Sequence, residues 1–260
     1  MSVLAAERIK LLSTRSPWWT SGAAVVVVVG LTVLIAAFAD SVTVEGGVEG
    51  GAEGVPAAPG PILAQVVPIG LVIVLVMAAL AVTTEYRFGT IRTTFQAVPR
   101  RPVALVGKAV VVATAAGVVG LVASALAWVG GAVLLGAPLV PATAADWRVV
   151  GGTGAVFALG AVIAVAVGIL VRQTAGAVAL LLIWVLVVES LLGIIPDVGD
   201  DIAVRLPFAN ASNFLGGPDA PVAVPGVATA PSPLGSLLHL AVFATVLFAV
   251  AVVVADRRDA

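Results

Sequence analysis

Six long apolar runs, parted by shorter polar segments, set the architecture of this chain before any single residue is considered. They cover roughly residues 19–39, 62–84, 103–135, 151–171, 176–195 and 235–255. Each is long enough to cross a bilayer, which takes about 20 mostly apolar residues in a helix. The third run exceeds that length. Only Arg172, Gln173, Thr174 and Ala175 separate the fourth from the fifth, the spacing of a tight helical hairpin. The predicted fold is all-α and integral to the membrane, with residues 1–260 as a single transmembrane domain of six helices. Composition agrees: 61% of the residues are hydrophobic and 10% charged, where a soluble domain carries about 25% charged. A soluble enzyme is thereby excluded, and so is a disordered chain, whose mark is low hydrophobicity and high net charge. With no cysteine and one histidine, disulfides, thiolate metal sites and histidine clusters are excluded too.

Charge then orients the spans. With the N-terminus in the cytoplasm, Arg8, Lys10, Arg15, Arg87, Arg92, Arg100, Arg101, Lys108, Arg172, Arg257 and Arg258 fall inside, leaving only Arg148 and Arg205 outside. The opposite threading would invert that distribution, against the rule that Lys and Arg collect on the cytoplasmic side. Both termini are therefore predicted to be cytoplasmic. Ala37-Phe38-Ala39 ahead of Asp40 resembles a signal-peptidase site, but the apolar run before it is longer than the core of a usual signal peptide. The first helix is read as uncleaved.

The connecting segments differ in kind. Asp40–Pro61 is rich in Gly, Pro and Glu without apolar periodicity, the pattern of a solvated external loop. On the cytoplasmic side between spans two and three, Phe88, Ile91, Phe95 and Val98 recur at spacings of three, four and three. That spacing predicts a short amphipathic helix over residues 85–98, with Arg87, Thr90 and Thr94 turned away from the stripe. Pro99 and Pro102 end it. Its apolar stripe could lie on lipid headgroups or enter a groove on a cytoplasmic partner, and periodicity alone leaves both open. The external segment 196–233 holds seven of sixteen prolines yet carries Leu206, Phe208, Phe214 and Leu215. It is predicted to form re-entrant or short helices against the spans, since irregular backbone at that depth needs protein or water around it. Residues 3–15 form a weaker amphipathic pattern, with Ala5, Ile9 and Leu12 on one face and Glu7, Lys10 and Thr14 opposite. This is read as an interfacial helix ahead of the headgroup-level anchors Trp18 and Trp19.

Little catalytic chemistry is present. Gly107-Lys108 is followed by Ala109, so no phosphate-binding P-loop exists, and the chain is not expected to be an enzyme or to hold a metal or cofactor itself. Ser236 and His239 share one helix at i, i+3 without the strained turn that presents a nucleophile; His239 is read as a packing residue. Glu189 stands out as an acid inside a span, which is costly and usually faces a bundle interior or a watery cavity. It is a candidate either for lining a translocation path or for a structural hydrogen bond between helices. Gly120 and Ser124, and Gly160, Ala164 and Gly168, repeat every four residues and predict faces where helix backbones approach closely.

The stretch Thr84-Glu85-Tyr86-Arg87-Phe88-Gly89-Thr90-Ile91-Arg92-Thr93-Thr94, followed by Ala97-Val98-Pro99-Arg100-Arg101, resembles the E-Y-R-x-G-T-I-R-T-T…V-P-R-R segment of the permease subunit of ABC-2 type transporters. Looser likeness lies at Lys10, Arg15-Ser16 and Trp18-Trp19, at Trp184 through Leu192, and at Leu206-Pro207-Phe208 with Asn210, so that it spans nearly the whole chain. The resemblance implies that residues 85–98 are a coupling helix receiving motion from a separate ATP-binding subunit, which would itself bind ATP and Mg. It implies that Glu85, Arg87, Phe88, Ile91, Arg92, Phe95, Val98, Arg100 and Arg101 serve docking, and that the N-terminal segment is a connecting helix. The working exporter would hold two permeases, a second copy or a paralogue, in a bacterial cytoplasmic membrane; no nucleic-acid partner is expected. Two other readings compete with this one. An ion- or proton-coupled carrier should show inverted repeats and midplane polar groups, and the sequence displays neither beyond Glu189. A non-transporting scaffold would use the amphipathic loop without any ATPase.

Overall fold

The computed structural model describes residues 3–39, 58–98, 101–193, 202, 204–216 and 232–258. Among them every regular element is helical: α1 (Val3–Ser13), α2 (Arg15–Ala37), α3 (Pro59–Phe88), α4 (Thr90–Ala97), α5 (Arg101–Leu135), α6 (Ala144–Val171), α7 (Thr174–Ile183), a π-helical turn (Trp184–Val188), α8 (Glu189–Gly193), α9 (Pro207–Gly216) and α10 (Pro233–Arg258). Six helices are long and apolar enough to cross a membrane, the fifth running through the π-turn as Thr174–Leu192. This is the architecture of a multi-pass membrane protein. The helices overrun the apolar runs at several ends because backbone hydrogen bonding does not stop where hydrocarbon does. The predicted loop 40–61 and segment 196–233 fall mostly outside the described residues.

Local chemistry explains where the helices break. Pro59 opens α3, where a missing N–H costs nothing. Gly89, at φ 71°, ends α3 and turns the chain into α4. Thr143 and Asp146 cap the start of α6 reciprocally: the Asp146 N–H donates to Thr143 Oγ1 at 3.1 Å and the Thr143 N–H to Asp146 Oδ2 at 3.0 Å. Arg172, at φ 59°, closes α6 in the left-handed conformation, its N–H donating to the Gly168 carbonyl. A non-glycine residue there costs on the order of 1 kcal/mol.

The centre of the bundle is α6, with 67% of its most apolar stretch buried, against 11% for the fifth span and 17% for the sixth. The small-residue faces make this possible. A Cβ added at Gly120 would stand 2.9 Å from the Thr153 carbonyl oxygen, and one at Gly154 2.5 Å from Leu121 Cγ. Ser124 Oγ donates to the Val150 carbonyl at 2.8 Å, joining α5 to α6 where side chains no larger than Ser fit. On its other side α6 meets α3, where a Cβ at Gly160 would lie 2.7 Å from Leu71 Cδ1. Lipid offers helices no hydrophobic reason to associate, so backbone proximity and interhelical hydrogen bonds supply it. The outer surface carries Val26, Leu34, Val133, Leu186, Leu238 and Val246, all exposed, as a lipid-facing surface requires.

The contacts sort the bundle into two ends. At one end lie α1, the last turn of α3, α4, the start of α5 and the α6–α7 turn; Arg258 Nη1 donates to the Leu170 carbonyl at 3.2 Å, bringing the last turn of α10 there too. At the other end α9 packs against the starts of α6 and α10: Phe214 fills the space beside Gly152, and Asn213 Nδ2 donates to Ser236 Oγ at 2.8 Å. The first and last described helices therefore open and finish at the same end.

Candidate functional site

The first end is organised by both of the chain's lysines. Lys108 lies on α5 two turns past Arg101, in an apolar setting that gives an ammonium no water. Its Nζ donates to Glu7 Oε2 at 2.6 Å and to Glu85 Oε1 at 2.8 Å. Lys10 Nζ donates to Glu7 Oε1 at 2.8 Å, stands 3.5 Å from Glu85 Oε1, and donates to Thr94 Oγ1 at 2.9 Å. Two cations and two anions thus close a neutral quartet that ties α1, α3 and α5 together and reaches α4 through Thr94. Gly107 gives α1 room to cross, since a Cβ there would meet Val3 Cγ1 at 2.9 Å.

Burial and pairing oppose each other in this quartet. Burial pushes the Glu7 carboxyl up, but the charge of Lys108 and hydrogen bonds from both lysines outweigh it and hold Glu7 below its ordinary value. Burial pushes Lys10 down, and the hydrogen bond to Glu7 with the charges of Glu85 and Glu7 turns the balance, leaving it raised. The core of the quartet is Glu7 with Lys108, whose side chains are 4% and 5% exposed; Lys10 is 44% exposed. A buried pair stabilises little relative to apolar packing, but removing one partner costs far more.

The residues expected to dock a partner are distributed around this quartet. Glu85 turns inward to the lysines. The expected single stripe is split, because Gly89 interrupts the helix. Phe88 belongs to the end of α3 and is 71% exposed, while Ile91, on α4, is buried. Arg87 is exposed, its guanidinium 5.6 Å from the Phe88 ring centre. Val98 is half-buried and Arg101 opens α5. Arg92 and Phe95 lie on α4, and Arg100 falls outside the described residues. On α1, Glu7 is buried, whereas Ile9 and Leu12 of the expected apolar face are exposed, as are Lys10 and Thr14 of the expected polar face. Trp18 and Trp19 are exposed, Trp18 Nε1 donating to the Leu12 carbonyl at 3.1 Å.

At the other end Glu189 is fully engaged. A π-helical turn places residues five apart on one face, so Trp184 Nε1 reaches Glu189 Oε1 at 3.0 Å. The same carboxylate accepts the N–H of Phe208 at 3.2 Å and of Ala209 at 2.8 Å. Those are first-turn amides of α9, left without helical partners behind Pro207, and an anion is favoured there. Glu189 therefore fastens the loosely packed fifth span to α9. Asn210, buried, holds the turn before α9 through the Val204 and Leu206 carbonyls. His239 Nε2 lies 2.9 Å from the Arg205 carbonyl oxygen, a packing contact between α10 and the segment ahead of α9.

Glu7, Lys10 and Lys108 are the residues that sequence reasoning passed over as a site. The signal was available in Lys108, an ionisable group inside an apolar run like Glu189. Among the described residues no three His, Cys, Asp or Glu side chains cluster closely enough to hold a metal. No family model matches the sequence, and no curated protein matches it.

Three outcomes follow from this geometry. Lys108→Met leaves the buried Glu7 and the half-buried Glu85 beside a single half-exposed lysine and should lower stability by about 3–5 kcal/mol. Lys10→Met should cost no more than about 1 kcal/mol; thermal melting in one detergent compares the two. Because Glu7 is held below its ordinary value, its contribution is present above the carboxylate range and lost as pH falls through its lowered pKa. Lys10, raised, contributes until pH rises through its own pKa above the ordinary lysine range. Hydrogen exchange across residues 3–13, corrected for intrinsic rates, should stay slow through neutrality and quicken only as pH falls below the ordinary carboxylate range. Finally, Glu189→Gln turns an amide N–H toward backbone N–H donors and should destabilise by about 1–3 kcal/mol; an unchanged melting point would remove its role as the α9 anchor.

Proposed function

We propose that this chain is the transmembrane permease subunit of an ATP-driven exporter of the ABC-2 type, powered by a separate ATP-binding subunit. One observation supports it above the rest: the short helix α4, hung on the ends of two spans, is wired through Thr94 and Lys10 to the buried Glu7–Lys108 pair. A push on α4 would reach α1, α3 and α5 together rather than dissipate in a loop. The reading assigns that end to the cytoplasm, where eleven basic residues collect. Exposed Phe88 and Arg87 would present the docking surface. Ile91, buried, would carry load inward, and Glu85 would hold the lysines. Arg92, Phe95, Val98, Arg100 and Arg101 would complete the contact. Two permeases and two ATPases, in a bacterial cytoplasmic membrane, would alternate access along a path at their interface. Glu189 would serve that cycle by keeping α9 fixed to the fifth span.

The test is co-expression with an ATP-binding protein encoded beside it, followed by co-purification. Phe88→Asp changes an exposed side chain and should leave the permease folded in detergent while reducing recovery of the ATPase at least about tenfold, as loss of a central aromatic anchor does. Full retention by the variant would remove the docking assignment, and absence of binding by the unaltered chain would remove the exporter reading.

A further inference from the structure

Beside the quartet, at the same end of the bundle, the structure leaves a cleft of about 310 Å³ lined by Arg87, Arg172, Gln173, Thr174 and Ala175. Its two guanidinium groups come from different elements, Arg87 from the last turn of α3 and Arg172 from the α6–α7 turn. Each is backed by an aromatic ring, Arg87 at 5.6 Å from the Phe88 centre and Arg172 at 5.1 Å from that of Tyr86. Aromatic backing orients a cation without cancelling its charge. The other described lining residues, Gln173, Thr174 and Ala175, are neutral. Arg87 makes no ion pair among the described residues, and Glu85, two residues before it, is engaged by Lys108 and Lys10. Arg172 occupies the one non-glycine position of positive φ among the described residues, a site that glycine would fill with less strain.

A second feature adjoins the first. From the cleft, one side of the fifth span stays uncovered: Ala175, Ala179 and Ile183 follow at four-residue spacing, then Leu186 and Val187, all exposed. Spacing of four keeps the first three on one helix face. The small alanines lie next to the cleft and the larger side chains deeper along the span.

A paired cationic cleft at the ends of membrane helices, continuous with an apolar strip running down one of them, has the two-part chemistry of a phospholipid. We propose that the cleft seats the phosphate of an anionic phospholipid, with an acyl chain lying along Ala175, Ala179 and Ile183. Basic pockets between helix ends are suited to such headgroups. A zwitterionic headgroup would bring its own cation up to two arginines and is disfavoured.

Native mass spectrometry of the purified chain tests this, with phosphatidylglycerol and phosphatidylcholine of identical acyl chains added in turn. The unaltered protein should retain phosphatidylglycerol over phosphatidylcholine by about tenfold, given roughly a fewfold gain per arginine near a headgroup. Arg87→Gln/Arg172→Asn should abolish the preference; Asn is chosen because it tolerates positive φ. Arg87→Gln alone, at an exposed helix end, should reduce the preference about threefold and covers the case in which the double variant fails to fold. Arg8→Gln/Arg257→Gln removes equal charge from exposed positions elsewhere at this end and should leave the preference intact. Three results would overturn the proposal: no preference in the unaltered protein, equal loss in the Arg8/Arg257 control, or displacement of the lipid by millimolar glycerol 3-phosphate, which would mark the cleft as a site for free phosphate.

Discussion

An ammonium group cannot stay charged in an apolar interior without anions against it, and Lys108 makes that demand two turns into α5. The answer comes from Glu7 and Glu85, each of which must be delivered by a different helix. Satisfying one cation therefore fixes where α1 lies, how far α3 extends beyond the apolar run, and where α4 begins. Such a pair gives little net stability over apolar packing, because desolvation consumes most of the attraction. What it gives is register: a slide of α1 by one turn would part Glu7 from Lys108 and Lys10 from Glu85. The quartet is neutral as a whole, so it can sit near the membrane edge without drawing in water or counter-ions.

The opposite end answers the same constraint with backbone groups. The amides at the start of α9 have no carbonyl partners, and the Glu189 carboxylate supplies acceptors to them. The π-turn before Glu189 has a geometric purpose in this light: it swings the acid onto the same face as Trp184, so that one side chain holds the other in position. The two ends thus share a rule, that each intramembrane ionisable group is held by several donors or acceptors at once, while the middle of the bundle is left to glycine, alanine and serine.

The six spans were legible because length and hydropathy are local properties of a sequence, and so were the close-packed faces of α5 and α6, because small residues at spacing four can hardly serve another end. The quartet was not. Lys108 finds Glu7 at a separation of 101 residues and Glu85 at 23, and no local pattern encodes such a meeting. The partners of Glu189 were hidden for another reason, since backbone amides carry no side-chain signature. The stripe through Phe88, Ile91, Phe95 and Val98 was read as one face because periodicity counts residues without asking whether a glycine changes the path; Gly89 at φ 71° does. On α1 the burial of Glu7 was not legible either, because an acid on a short amphipathic helix is ordinarily read as solvent-facing.

The scarcity of lysine has a practical side. Arginine outnumbers it everywhere in this chain, and the only two primary amines on side chains are Lys10 and Lys108, the second almost wholly enclosed by carboxylates. Acylating reagents, which need an uncharged and accessible amine, would find Lys108 closed to them for as long as α1 is seated. The yield of acylated Lys108 would then measure how often the four-helix clasp opens, with no substitution in the sequence.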